Sequence, residues 1–488
     1  MTGSVRFVLG GRVVEVRDAS PTTTVLQWLR AHGRPGTKEG CAEGDCGACT
    51  VVLGDLVEDG EGAPRLRYRA VNACILFLPM IDGKLLLTVE DLESPDGELH
   101  PVQAALVEQH GSQCGFCTPG FVMALFAHYH QDTAPDDAAI HDALAGNLCR
   151  CTGYRPILDA ARSLRVRDGA DRFDRAEAGM VALLSSLQRD DPLTLGAGGD
   201  SSHAPRTLAE LERLVTAHPE ATLVAGATDV GLWVTKHGRP LPATIHLAGV
   251  AELHAIAEAP DALTVGAAAT YAELLPVLDR RLPPLAGLVR RIGAAQVRNS
   301  GTLGGNIANG SPIGDSMPAL LALGATLTLN RGGVRRTVDL ADFYHGYRRN
   351  DLKPGEFVER IRIPLPADGE RFATWKVSKR RDQDISAVCA AFLLRLDGDG
   401  RVAAFRAGYG GMAATPARAR ALEAALLGRP WTVDTVAAAG PALDADFQPI
   451  SDMRASDRYR SLVARNLLMR FYLDGTEAGA VSLEVVHG

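Results

Sequence analysis

No stretch of the sequence approaches the roughly 20 consecutive apolar residues that a membrane-spanning helix needs; the apolar runs are short, Pro318 to Leu323 among them. The first residues lack the apolar core of a secretory signal, so a reducing cytoplasm is the expected location. Basic excess is missing too: 51 lysines and arginines stand against 58 acidic residues, a formal net charge of -7. That leaves no electrostatic footprint for nucleic acid or for an anionic membrane surface, and neither is expected as a partner. Cysteine all but disappears after residue 151, where only Cys389 remains of the nine, inside an apolar strand-like run that reads as core. Disulfides are a poor use for the others, given the missing signal and their spacing. What the chain does have is 488 residues with 46% hydrophobic and 22% charged content, enough for three or four globular domains.

The remaining cysteines fall into two quartets. Cys41-x4-Cys46-x2-Cys49, followed by Cys74, has the spacing of a plant-type ferredoxin and points to a [2Fe-2S] cluster. Gly40, Gly44 and Gly47 let the loop wrap closely and turn peptide N–H groups inward. The second quartet pairs Cys114-x2-Cys117 with Cys149-x-Cys151. Four thiolates in two tight pairs suit zinc or iron–sulfur equally, and the pairs alone do not separate the two. With one iron–sulfur loop upstream, a second cluster is the simpler reading, since paired clusters can pass electrons.

Taken in order, the pattern predicts a multidomain α+β chain. Strands at Val5 to Leu9 and Arg12 to Val16 meet at the Gly10-Gly11 turn, and Leu26 to His32 reads as a helix before the cysteine loop. Residues 1–84 are assigned to this ferredoxin-like unit. Residues 85–165 read as a four-helix unit, with helices at Pro101 to His110, Gly120 to His130, Ala138 to Ala145 and Ile157 to Leu164. Residues 166–195 read as a linker, charged, then helical, then loop-like, and Asp190 to Ser202, polar and glycine-rich, as a linker or an exposed excursion. Residues 196–367 and 368–488 follow as two α+β domains.

In the first of these, Gly301 to Asp315 holds five glycines, two asparagines and two hydroxyls, reading as a loop with uncovered peptide N–H groups. Such a loop suits a pyrophosphate or a tight structural turn; it is not the Rossmann fingerprint in its strand-to-helix setting. Gly408 to Gly411 reads as a turn between strand and helix. Lys376, Lys379, Arg380 and Arg381 form a basic cluster that fits a solvated face or a site for the phosphates or ribose of a dinucleotide.

Read together, Cys41-Ala42-Glu43-Gly44-Asp45-Cys46-Gly47-Ala48-Cys49, Gln113-Cys114-Gly115-Phe116-Cys117-Thr118-Pro119-Gly120, Cys149-Arg150-Cys151-Thr152-Gly153-Tyr154-Arg155-Pro156 and Gly304-Gly305-Asn306 resemble the molybdenum hydroxylase family over essentially the whole chain. The resemblance is closest to the iron–sulfur and flavin portion of its xanthine dehydrogenase branch, in the bacterial arrangement with the molybdenum site on a separate subunit. It implies [2Fe-2S] clusters at Cys41, Cys46, Cys49 and Cys74 and at Cys114, Cys117, Cys149 and Cys151, and FAD bound from about residue 195 onward.

Position by position, it implies flavin contacts at Leu223, Val224, Ala225, Gly226, Ala227, Thr228, Asp229 and Val230, and at Thr302, Leu303, Gly304, Gly305 and Asn306. Asp315, Val358 and Lys376 follow as further contacts. Ile292 stands where relatives can place an aromatic near the isoalloxazine, a departure from the pattern. Gln113 resembles the residue that approaches the molybdopterin cofactor.

The implied partner is a molybdopterin-binding large subunit that carries the purine substrate, in a dimer of heterodimers. Electrons would run from molybdenum to the cluster at Cys114, then to the one at Cys41, then to FAD, which gathers single electrons for hydride transfer to NAD. No residue here is expected to act as acid, base or nucleophile on the substrate. Other members acting on aldehydes or N-heterocycles share such modules, as do members using oxygen or another acceptor. A stand-alone iron–sulfur flavoprotein electron carrier is the reading from a different class.

Overall fold

The structure, a computed structural model, describes residues 3–476 apart from 18, 59, 61, 132–135, 166–168 and 198. Its first unit is a five-stranded sheet in the order β2-β1-β5-β3-β4. The strands are β1 (Val5–Leu9), β2 (Arg12–Val16), β3 (Thr50–Glu58), β4 (Pro64–Asn72) and β5 (Leu85–Leu87), with helix α1 (Val25–Ala31) on one face. Strand β5 corrects the boundary expected at residue 84: it pairs parallel to β1 and antiparallel to β3, in the middle of the sheet. Its three leucines show why the boundary was hidden. Leu86 packs with Phe7, Trp28 and Leu29 on one face, while Leu85 and Leu87 pack with Phe121 and Phe126 on the other. A strand buried on both faces has no polar alternation to read.

The far face of that sheet is covered by helices α2 (Pro101–Glu108), α3 (Thr118–Tyr129), α4 (Asp137–Leu144) and α5 (Arg155–Ser163). Proline at the start of α2, α3 and α5 suits a first turn whose N–H groups have no helical partner.

The expected linker at 166–195 is instead structured over most of its described length. Helix α6 (Arg172–Leu187) is opened by Asp171, whose carboxylate accepts from the N–H groups of Phe173 and Asp174. It buries Leu184 and Leu187 against the helical unit. His100 helps to clasp it. Its Nδ1 accepts from Val102 N–H, which leaves the proton on Nε2 to be donated to Asp171 at 2.9 Å.

Residues 193–204 are not an excursion either. Leu193–Ala197 and Asp200–Ala204 form an antiparallel hairpin, and Leu193 and Leu195 enter the core of the first unit. The composition was polar, but the alternating leucines faced inward.

Beyond the hairpin, Ala243–His246 lies between Asp200–Ala204 and Thr222–Val224, parallel to both. An antiparallel five-stranded sheet follows, ordered Ile256–Glu258, Ala262–Gly266, Phe357–Pro364, Thr326–Arg331, Val334–Asp339. The last unit is a four-stranded antiparallel sheet of Glu370–Val377, Val388–Leu396, Val402–Gly410 and Ala417–Arg418, backed by helices including Asp457–Thr476. Its third strand runs through Gly408 and the buried Tyr409, so the turn expected at Gly408 begins only at Gly411. Among the described residues, no helix is long and apolar enough to cross a membrane.

Candidate cofactor sites

The loop between α1 and β3 brings Cys41, Cys46 and Cys49 to Cys74, just beyond β4. Cys41 Sγ is the focus. It accepts from the N–H groups of Glu43, Asp45 and Cys46 at 3.3–3.4 Å. The thiols of Cys46 and Cys74 also point at it, which holds Cys41 far below the ordinary thiol range and raises both partners. A thiolate inside a cage of N–H donors is the form that ligates metal. Cys49 and Cys74 are buried, and Cys41 and Cys46 half-buried.

The second quartet is assembled from the loop before α3 and the loop before α5. Cys117 meets Cys149 and Cys114 meets Cys151. Burial, with Cys149 beside it, pushes the Cys117 thiol up to about 12. Burial would raise Cys149 as well, but the hydroxyl and N–H of Thr152, at 3.2 and 3.5 Å, prevail and lower it. Cys114 and Cys151 are exposed. Gln113 lies on the same exposed loop.

The spacing of the sulfurs bears on which metal fits. Zinc bonded to sulfur at about 2.3 Å would hold its four ligands about 3.8 Å apart. Among the described residues, the only trio of ligand atoms all within 4.8 Å of one another is His100, His130 and Asp171, in the clasp of α6. That trio lies apart from both cysteine quartets.

The flavin-type residues converge on one cavity of about 680 Å³, a size typical of cofactor sites. Of the residues named from sequence, Leu223, Ala225 to Val230, Ile292, Thr302, Gly304, Gly305, Asn306, Asp315, Val358 and Lys376 line it. Val224 and Leu303 do not; both are buried beneath.

The segment expected as a loop over 301–315 is partly helical. Thr302 caps Leu303–Asn309 by accepting from Gly305 N–H at 3.0 Å, so the glycines open a helix rather than hang free. Gly226, Gly301, Gly304 and Gly305 leave bare backbone along the wall, which fits an extended anionic cofactor. Lys376 leaves the basic cluster: it is buried and donates to Asp315 Oδ2 at 2.7 Å and to the Arg291 carbonyl at 2.9 Å. A buried charge keeps its ionised form only when paired in this way. Cys389, raised by burial beside Asp315, stays a core thiol.

The three sites touch in series. Leu148 N–H, next to Cys149, donates to the carbonyl of Cys46 at 2.9 Å. Asp45, in the first cysteine loop, lines the flavin cavity, and its carbonyl accepts from Gln383 Nε2 at 3.1 Å. Lys236 Nζ donates to the Cys41 carbonyl at 3.0 Å, fastening that loop to the cavity side.

Comparison with known proteins meets this geometry unit by unit. Residues 7–78 match a 2Fe-2S iron-sulfur cluster binding domain and 88–162 a [2Fe-2S] binding domain. Residues 198–366 match the FAD binding domain in molybdopterin dehydrogenase, and 373–474 the CO dehydrogenase flavoprotein C-terminal domain. A solved chain of carbon monoxide dehydrogenase from Hydrogenophaga pseudoflava is 31% identical with a TM-score of 0.52, over 55% of this chain and 94% of that one.

The chain belongs to the molybdenum hydroxylase family.

Within that family it is the iron–sulfur and flavin electron-transfer module. Xanthine dehydrogenase of Emericella nidulans is 32% identical over 96% of this chain and 38% of its own length. Xanthine dehydrogenase/oxidase of Gallus gallus is 32% identical over 96% of this chain and 40% of its own. The molybdenum hydroxylase module described here thus spans about 40% of the length of these curated relatives.

Sequence reasoning passed over the contacts that join the units. Asn147, Thr50 and Gln296 come from three of them and meet in a buried hydrogen-bonded group. Asn147 stood two residues before Cys149 with no role given to it, and Gln296 carries no sequence signal.

Proposed function

We propose that this chain is the electron-transfer subunit of a xanthine dehydrogenase. In this reading a molybdopterin-binding partner subunit hydroxylates hypoxanthine and xanthine, and electrons leave it through Cys114, Cys117, Cys149 and Cys151. They cross to Cys41, Cys46, Cys49 and Cys74 and end at FAD, with NAD as the acceptor. The observation that carries the reading is the serial contact of the sites: Leu148 N–H on the Cys46 carbonyl, and Asp45 on the flavin cavity. Each cluster, when bound, exchanges single electrons, and FAD turns pairs of them into hydride chemistry.

The chain's own residues do the positioning. Glu43, Asp45 and Cys46 turn their N–H groups onto the Cys41 sulfur, which favours its anionic, ligating form. Thr152 does the same for Cys149 through its hydroxyl and N–H. Asp315 and Lys376 neutralise each other at the cavity wall, with Ser386 donating a second hydrogen bond to the Asp315 carboxylate. That network fixes the strand Glu370–Val377 against the wall without leaving a net charge there. The exposed side of the second quartet, with Phe116 and Tyr154 exposed near Cys114 and Cys151, is the face offered to the partner, and Gln113 stands on it.

A complex isolated through this chain tests the proposal. It is expected to contain a molybdopterin-binding subunit, two [2Fe-2S] clusters and one FAD per chain, and to reduce NAD when given xanthine. Turnover of carbon monoxide or an aldehyde in place of xanthine would move the chain to another branch of the family. Absence of a molybdenum subunit would make it a stand-alone carrier.

A further inference from the structure

One peptide unit lies between the two quartets and is held at its carbonyl. The carbonyl of Gly47 accepts three hydrogen bonds: from Thr50 N–H at 3.0 Å, from Thr50 Oγ1 at 2.7 Å, and from Asn147 Nδ2 at 3.0 Å. The N–H of the same unit belongs to Ala48, in the loop between Cys46 and Cys49, and its influence on the Cys46 thiol is to lower it. Asn147 is itself oriented from a third unit: Gln296 Nε2 donates to Asn147 Oδ1 at 2.8 Å. The direction of this chain is fixed by its end, because a carbonyl can only accept. Asn147 must therefore turn its amide N–H to Gly47 and its oxygen to Gln296.

The surroundings are built for this contact. Thr50, Asn147 and Gln296 are all buried. A Cβ on Gly47 would lie 2.1 Å from the Gly146 carbonyl, and a Cβ on Gly146 2.0 Å from Gln296 Oε1. Only residues without side chains let the three units close to backbone contact here. Among the described residues, the amide of Gln296 is held through Nε2, which donates to Asn147 and to Thr50 Oγ1.

We propose that Gln296, acting through Asn147, tunes the reduction potential of the cluster held by Cys41, Cys46, Cys49 and Cys74, by polarising the Gly47–Ala48 peptide that lies between Cys46 and Cys49 in the ligand loop. This rests on the reading that both quartets hold iron–sulfur clusters. Hydrogen bonds in series strengthen one another in a low-dielectric interior, and hydrogen bonds to cluster sulfur raise the potential by stabilising the more negative, reduced form. Gln296 and Asn147 are positioning residues; neither touches the reacting atoms. Because Gln296 comes from the flavin-binding unit, docking of that unit would set how readily the neighbouring cluster takes its electron.

The test is a redox titration of the full chain, followed by the paramagnetic signals of the two reduced clusters, each of which takes up one electron from the mediator. In Gln296→Met the first cluster is expected to be about threefold harder to reduce, a midpoint about 30 mV lower, with the second cluster unmoved. Thr50→Val removes another donor to the same carbonyl and is expected to shift the same midpoint downward.

An unchanged first midpoint in an iron-replete Gln296→Met protein would overturn the proposal, as would a shift confined to the second cluster. If Gln296→Met fails to load iron, Thr50→Val decides. Failure of both to load also overturns it, since the bridge would then serve assembly and not potential. A wild-type chain without two distinct one-electron clusters would fail the reading beneath the proposal, which is a separate result.

Discussion

Cys49 and Cys74 of the first quartet are buried, whereas Cys114 and Cys151 of the second are exposed, near the exposed rings of Phe116 and Tyr154. The ligand chemistry is the same and the surroundings are opposite. The first quartet has Cys49 and Cys74 inside the core of its sheet and Cys41 and Cys46 half-buried, with backbone N–H groups on the Cys41 sulfur and neighbours on both the helical and the flavin sides. The second is walled in on the Cys117 and Cys149 side and open on the other. An enclosed site keeps water and oxidants from a relay, while an open one lets a donor approach. In the proposed path this difference favours entry at the exposed quartet.

The largest effect expected from this comparison is a split between two cysteine substitutions. Cys149→Ser should remove the second cluster, halve the iron and leave the flavin spectrum intact; full iron would contradict the ligand assignment. Cys49→Ser should remove the first cluster and also lower thermal stability, because Cys49 packs with Val51, Leu76 and Leu86 in a core. Equal melting temperatures for the two variants would break the comparison.

A smaller effect should appear after the metal is removed with a chelator. Alkylation followed by peptide mass spectrometry is expected to label Cys114 and Cys151 more than tenfold faster than Cys49 and Cys74. Uniform labelling would mean that the burial difference is not maintained in solution.

Smallest is a pH effect on the helix that straps the two cluster units together. Burial works to raise the Asp171 carboxyl, but His100 and His130 beside it prevail and hold it well below the usual range. A depressed carboxylate contributes stability that is full above the unfolded value near pH 4 and fades as pH falls through the folded one. Asp171→Asn keeps an N-cap side chain and should therefore cost about 1–2 kcal/mol at pH 7 through the lost charge-assisted bond to the histidines alone. The gap to wild type should narrow below about pH 4, as followed by circular dichroism. A gap independent of pH would show that the carboxylate charge plays no part.

What the sequence made legible follows from how local each signal is. Cysteine spacing, the Gly10-Gly11 hairpin and the proline-led helices are written within a few residues, and the structure holds each of these elements. The cavity residues were found through family motifs, which place Thr302 and Lys376 far apart in the chain yet on one wall. Strand β5 was lost because three leucines in a row serve two cores and show no period. The helical character of α6 was read, but its part as a strap was missed because charged residues on its outer face masked Leu184 and Leu187 on its inner one. Gln296 and Asn147 were beyond reach for a different reason: their meaning lies in a contact across 149 positions that only the fold creates.

The central claim is the order of the path, from the exposed quartet through the enclosed one to the flavin. It is tested most directly by running the path backward: flash photoreduction of the bound flavin, with the two clusters followed separately by rapid freezing and paramagnetic resonance. The first cluster should be reduced before the second in the wild-type chain, and in Cys49→Ser the second should be reduced at least tenfold more slowly than in wild type. Reduction of the second cluster at the wild-type rate in that variant would contradict the account.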